Sequence, residues 1–263
     1  MGKMYCKTWM DRRGSYNGRN KYKKKLRKEY MKLQDKNIVI TGGSEGLGFS
    51  LAKKMIEKGA SVHILARTEE KVDQAVVKLG DKAMGHVVDI SKLEEVEKVA
   101  SQIESVDVLI NNAGVWLEGS IADNTGEEIS NAIDTNLKGV IYASKAFLPK
   151  LEKDEEAHIL NISSTSGLRG RDGQAVYVAS KFGVTGFTEA LKADLANTNI
   201  KVTGFYPGGM STSLFEKAGT PKENADWMDT DKVADIIVYM IEQDASMMMD
   251  HVVLNKRKTK TSN

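Results

Sequence analysis

From Asn37 onward the chain alternates short apolar runs with stretches of helical period, and that alternation restricts its fold more than any other feature. The runs NIVIT, SVHILA, AMGHVV, VDVLIN, AHILNIS and IKVTGFY are rich in β-branched residues, unbroken by polar alternation and bounded by turn signals. Strands buried on both faces look like this. Between them lie LGFSLAKKMIEKGA, EEKVDQAVVKLG, KLEEVEKVASQIE, EEISNAIDTNLKGVIYASKAFLPKLEK and a helix starting near Gln174. A repeated β-α pattern implies a parallel sheet with helices on both faces and right-handed crossovers. The expected fold is α/β, a doubly wound parallel sheet of about seven strands in one domain over residues 31–258, with ligands bound beyond the carboxyl ends of the strands. At 263 residues, 41% of them hydrophobic, the chain is large enough to bury such a core.

The first strand end carries TGGSEGLG, residues 41–48. Gly42, Gly46 and Gly48 let the backbone turn tightly and approach a pyrophosphate, while free N–H groups at the start of the next helix favour an anion. Strand, glycine turn and helix in this order predict a dinucleotide site in a Rossmann-type fold. The second strand ends HILARTEE, so Ala66 and Arg67 stand where NAD-binding folds place an acid for the ribose hydroxyls. A guanidinium matches the 2′-phosphate of NADP in charge and geometry. Arg67 therefore points to NADP(H) rather than NAD(H), although Glu69 nearby partly offsets its charge.

Composition narrows the setting. The one cysteine, Cys6, excludes an internal disulfide and a cysteine-based zinc site, which makes a cytoplasmic location the expectation. No apolar run approaches the roughly 18 residues a membrane span needs, so a membrane partner is not expected. Residues 1–30 hold eleven Lys/Arg against Asp11 and Glu29, leaving the rest of the chain mildly acidic. KYKKKLRKEY within them could serve as a nucleic-acid or anionic-membrane arm. Sparse apolar residues favour a disordered leader instead, with Met31 as the natural start and the preceding residues an artefact of the start site. Residues 259–263 read as a tail. His63, His86, His158 and His251 lack metal spacing with Asp or Glu and read as structural, so no metal is expected.

Tyr177 and Lys181 stand four apart at the start of the last long helix, in AVYVASK. In a chain with 8 Tyr and this much Lys such a pair arises about once by chance, so only its surroundings give it meaning. After the glycine motif come Asp89 in VVDIS, NNAG at 111–114, Asn136 in TNLKG, NISSTSG with Ser164 thirteen residues before Tyr177, YVASK, and PGGMST. In this order and spacing, over about residues 33–255, the chain resembles the short-chain dehydrogenases/reductases of the single-domain kind.

The resemblance implies an oxidoreductase that moves a hydride between NADP(H) and a carbonyl or alcohol substrate. Tyr177 would be the general acid/base, Ser164 would hold the carbonyl oxygen, and Lys181 would bind the nicotinamide ribose. Asn136 would anchor a water that passes protons toward Lys181. A free phenol titrates near 10, and a lysine one turn away on the same face should lower that value by favouring phenolate. The implied cofactor-binding set is Gly42, Ser44, Glu45, Gly46, Leu47 and Gly48, then Arg67, Asp89, Ile90, Asn112, Ala113 and Gly114, with Tyr177, Lys181, Pro207, Gly208 and Thr212. For Asp89, a contact with adenine competes with a simple helix cap before SKLEEV. A catalytically idle scaffold or redox sensor is the competing reading, and the intact set Asn136, Ser164, Tyr177 and Lys181 argues against it.

Family pockets are built from the loops after the serine strand and after Pro-Gly, here TSGLRGRDGQ and MSTSLFEKAGTPKENADWMD. Leu168, Met210, Leu214, Phe215 and Trp227 could form an apolar lid or simply pack that segment onto its own protein, and Arg169 and Arg171 are expected to face solvent rather than an anionic substrate. The resemblance also implies a homodimer or homotetramer, paired through the helices near 126–150 and 174–196. The ending HVVLNKRKTKTSN, without a glycine-rich terminus, weakens the tetramer and a 3-oxoacyl-carrier-protein substrate.

Overall fold

The computed structural model describes residues 31–151, 156–221, 227–243 and 246–257. The basic leader at 1–30 and the tail at 259–263 lie outside the described residues. Seven strands, all parallel, form one sheet: β1 (Asn37–Thr41), β2 (Ser61–Ala66), β3 (Ala83–Val87), β4 (Val108–Asn111), β5 (Ala157–Ile162), β6 (Ile200–Pro207) and β7 (His251–Leu254). Their order is β3-β2-β1-β4-β5-β6-β7. The chain winds outward in one direction from β1 to β3 and in the other from β4 to β7. Neighbouring crossovers leave opposite faces where β1 meets β4, and a crevice opens beyond the carboxyl ends there.

The helices are α1 (Gly46–Glu57), α2 (Glu69–Leu79), α3 (Leu93–Gln102), α4 (Gly126–Ile133), α5 (Gly139–Leu151), α6 (Ala175–Asp194), α7 (Leu214–Lys217) and α8 (Thr230–Ile241). Side chains of α1, α2 and α8 cover one face of the sheet with Ile38, Ile40, Val62 and Ile110. Those of α3, α5 and α6 cover the other with Val39, Leu65, Leu109 and Ile159. The central strands β4 and β5 are buried at every position, as their unbroken apolar runs predict. At the edges, β3 and β7 expose alternate residues, although α2 packs against β3.

One element differs from its sequence pattern. The continuous helix expected over 127–153 is divided by a π-helical turn at Asp134–Lys138. An additional residue in the i→i−4 ladder rotates the rest of the helix about its axis, and such bulges concentrate at functional sites. Here the bulge carries Asn136, fully buried. The four histidines all fall on strands: His63 faces His86 at 2.9 Å across β2 and β3, and His158 meets Thr203 at 2.9 Å. Among the described residues no cluster of three potential metal ligands occurs, and no helix is long and apolar enough to cross a membrane.

Candidate active site

Beyond the strand ends lies a cavity of about 780 Å³, running from the turn after β1, past the ends of β2, β4 and β5, to α7. Its floor is the glycine turn. Gly42 takes φ +67°, and a Cβ there would stand 2.8 Å from Ala113 Cα; at Gly48 a Cβ would stand 2.1 Å from the Gly42 carbonyl oxygen. Any side chain at these positions would force the backbone apart. Thr41 Oγ1 accepts hydrogen bonds from the N–H groups of Asn112 (3.0 Å) and Ala113 (3.1 Å), while Asn112 Nδ2 donates to Thr41 O at 3.0 Å and Gly42 O at 3.1 Å. This double clasp joins the turns after β1 and β4, and Thr41 is a member that motif reading passed over.

Helix α1 begins in this floor without a side-chain cap, so its first N–H groups remain available to an anion. The Glu45 carboxylate is held off to the side by Lys71, at 3.2 Å, and by Lys217 of α7. Arg67, exposed at the end of β2, lines the same end of the cavity with Lys71, which the sequence pattern did not single out. A side-chain-free turn, an uncapped helix start and two cations fit a diphosphate with a further phosphate beyond it.

Most of the sequence-predicted binding set shares this wall: Gly42, Ser44, Glu45, Gly46, Leu47, Arg67, Ile90, Asn112, Ala113, Gly114, Pro207, Gly208 and Thr212, with Ser164, Tyr177 and Lys181. Asp89 does not belong to it. Its Oδ1 accepts from Ser91 N at 3.0 Å and Ser91 Oγ at 2.7 Å, forming a local turn that leads into α3. Leu168 also lies outside the wall, whereas Met210, Leu214, Phe215 and Trp227 line it.

The opposite end is built on β5 and α6. The first turn of α6 turns Tyr177 and Lys181 inward on one face, 6% and 5% exposed. Ser164, just past β5, has its side chain close to the Tyr177 hydroxyl, where it favours phenolate. Lys181 Nζ donates to Ile162 O at 3.2 Å and lies 5.9 Å from the centre of the Tyr177 ring. Asn136 reaches the group from behind. Its Oδ1 accepts from Val115 N at 2.7 Å, and its Nδ2 donates to Val115 O at 2.9 Å and to Ser180 Oγ at 3.0 Å. Ser180 Oγ in turn donates to Tyr177 O at 2.7 Å, so Ser180, to which the YVASK motif had assigned no role, ties the π-turn to α6.

The electrostatics correct one expectation. Burial pushes the Tyr177 phenol up to about 12, despite the Ser164 side chain and the Arg171 charge, both of which favour phenolate. Burial also brings Lys181 down to about 8. One helical turn of separation suggested that the lysine would lower the tyrosine's pKa. In the folded protein both groups are enclosed, and loss of solvation disfavours each charged form more than its neighbours restore it. The arrangement holds a neutral phenol beside a lysine that titrates near neutrality.

The chain is similar to solved proteins of known cofactor content. A serine dehydrogenase complexed with NADP+ superposes with a TM-score of 0.78 at 26% identity, covering 83% of this chain and 94% of that one. A 3-ketoacyl-(acyl-carrier-protein) reductase from Brucella melitensis complexed with NADH gives a TM-score of 0.76 at 27% identity, covering 85% and 98%. An uncharacterized oxidoreductase of Staphylococcus epidermidis is 31% identical over 227 residues, 85% of this chain and 98% of the relative. Residues 36–223, well over half of the chain, match the family profile of the short chain dehydrogenases, and the protein belongs to that family.

Proposed function

We propose that the protein transfers a hydride between NADP(H) and a carbonyl or alcohol, with Tyr177 as proton donor and acceptor. The observation that carries this reading is the enclosed Tyr177–Ser164 pair above Lys181, at one end of a cavity whose other end is a glycine turn with two cations. Bound along that cavity, the dinucleotide supplies or accepts the hydride at its nicotinamide ring. The N–H groups of Gly46 and Leu47 hold its diphosphate, and Arg67 with Lys71 holds the 2′-phosphate. Pro207, Gly208 and Thr212 line the wall at the nicotinamide end. The serine dehydrogenase holds NADP+ and the Brucella reductase NADH, so the choice of cofactor rests on Arg67 and Lys71 of this chain.

When the carbonyl carbon gains the hydride, its π bond breaks and charge collects on oxygen. Ser164 donates a hydrogen bond to that oxygen, and Tyr177 gives up its proton to form the alcohol. The phenolate left behind faces Lys181, whose charge it needs in that moment more than before. Asn136, held by Val115 and Ser180, anchors the water that passes protons toward Lys181. Dimerisation through α4, α5 and α6 belongs to the same reading.

Oxidation of NADPH against aldehydes, ketones, quinones and 3-oxoacyl thioesters tests the chemistry. Tyr177→Phe should lower kcat by about two to four orders of magnitude while NADPH still binds. A Phe variant with full rate means the proton comes from elsewhere. Arg67→Ala should weaken NADPH at least about tenfold more than NADH; equal losses overturn the NADP assignment.

A further inference from the structure

The loop between β5 and α6 contains two arginines, and the fold separates them. Arg169 is exposed and outside the cavity wall, whereas Arg171 lines it beside Ser164, Thr165 and Tyr177. Its guanidinium is fixed in place, since Nη2 donates to the buried Thr165 Oγ1 at 3.0 Å. The carboxylates of the same wall are spent elsewhere or stand off: Glu45 on Lys71 and Lys217, Glu128 on the cap of α4, and Glu118 beside Gly173. Among the described residues no carboxylate forms an ion pair with Arg171. Both arginines are exposed, as expected, but the bond to Thr165 holds Arg171 where it also borders the cavity.

The same cavity is lined by a run of aromatic rings. Trp116 lies against Tyr177 with centroids 4.5 Å apart, Phe215 meets Trp116 edge-on at 4.6 Å, and Trp227 adjoins Phe215 at 4.6 Å. Flat apolar groups gain from such a surface through burial and edge or offset stacking. A planar guanidinium in the same cavity is suited to a carboxylate, which it can bind through two parallel N–H···O bonds.

Resting on the reading of Tyr177 as proton donor, we propose that the substrate is an oxo acid with an apolar, preferably aromatic, remainder. Its carboxylate binds Arg171, its ring or chain lies on Trp116 and Phe215, and its keto group meets Ser164 and Tyr177. Arg171 and Tyr177 share one stretch of wall, so the keto group is close to the carboxylate, as in a 2-oxo or 3-oxo acid. The reaction balances: NADPH loses a hydride to the keto carbon, Tyr177 a proton to its oxygen, and a hydroxy acid leaves.

Phenylpyruvate and its methyl ester, which keeps the activated ketone and removes the charge, distinguish this proposal. With NADPH, the wild-type protein should show kcat/KM at least about tenfold higher on the acid. Arg171→Gln should erase that preference through a rise in KM for the acid relative to the ester, whatever change is common to both compounds, while Arg171→Lys should restore part of it. A wild type that favours the ester, or a glutamine variant that slows both compounds equally, overturns the proposal. Should neither be turned over, quenching of tryptophan fluorescence by phenylpyruvate in the NADP+ complex decides. Saturable quenching weakened at least about tenfold by Arg171→Gln supports the carboxylate site, and its absence removes it. NADPH titration runs alongside: failure to bind the dinucleotide defeats the parent reading, whereas NADPH binding with ester turnover and no acid preference defeats only this one.

Discussion

Tyr177 and Lys181 owe their chemistry to enclosure as much as to each other. A phenol pushed up to about 12 remains protonated throughout the neutral range and is therefore available as a donor. A lysine brought down to about 8 loses its charge within the accessible range. If the ammonium is what supports the departing proton, carbonyl reduction should be flat below pH 7 and fall as pH rises through about 8. The limb should vanish in Lys181→Met, at a uniformly low rate. Stability moves in the other direction. The unfolded lysine holds its proton up to about 10.5 and the folded one only to about 8, so between those values the unfolded state binds more protons and stability rises with pH. Denaturant midpoints from pH 7.5 to 10 should show that rise in the wild type and lose it in Lys181→Met.

At the level of elements, the site depends on three junctions where regular structure is interrupted. The turn into α1 works because it has no side chains in the way. Gly48→Ala would place a methyl group 2.1 Å from Gly42 O and 2.7 Å from Asn112 Nδ2, breaking the clasp to the NNAG turn. Isothermal titration should find NADPH binding lost and the melting temperature lowered; unchanged binding would show that the turn does not cradle the diphosphate. The π-turn between α4 and α5 is the second junction. It brings the Asn136 carboxamide onto both backbone groups of Val115, which a regular helix over the same residues would not aim in that direction. The third is the loop before α6, where a short helical turn at Thr165–Gly167 presents Thr165 to Arg171 and Ser164 to Tyr177.

The whole molecule supplies the crevice. Reversal of strand order at β1 and β4 leaves room beyond their ends, and two apolar layers hold the sheet rigid beneath it. Phe147 of α5 is fully buried in the layer that includes α3 and β5. Phe147→Ala should cost about 3–5 kcal/mol of stability in a denaturant titration, with KM unchanged, because the cavity opens at the strand ends rather than through this layer. The doubly wound parallel sheet was legible in the alternation of NIVIT, SVHILA and their successors, since a two-sided burial pattern leaves few other solutions. Gly42 was legible from turn chemistry, whereas Ser164, Tyr177, Lys181 and Asn136 were singled out through the family resemblance, since their spacing alone is compatible with chance. Thr41, Lys71, Trp116 and Ser180 were not, because each acts through a partner distant in sequence: Thr41 through Asn112, Trp116 through Phe215, Ser180 through Asn136. Nor could spacing separate Arg169 from Arg171, two positions apart in one loop, or reveal that Tyr177 is harder rather than easier to ionise. By itself the sequence determined the parallel sheet and the glycine turn, because periodicity and turn chemistry are encoded position by position. Only the tertiary structure decided which charges are buried, which are paired and which face the cavity, because solvation and pairing depend on what the rest of the chain brings alongside.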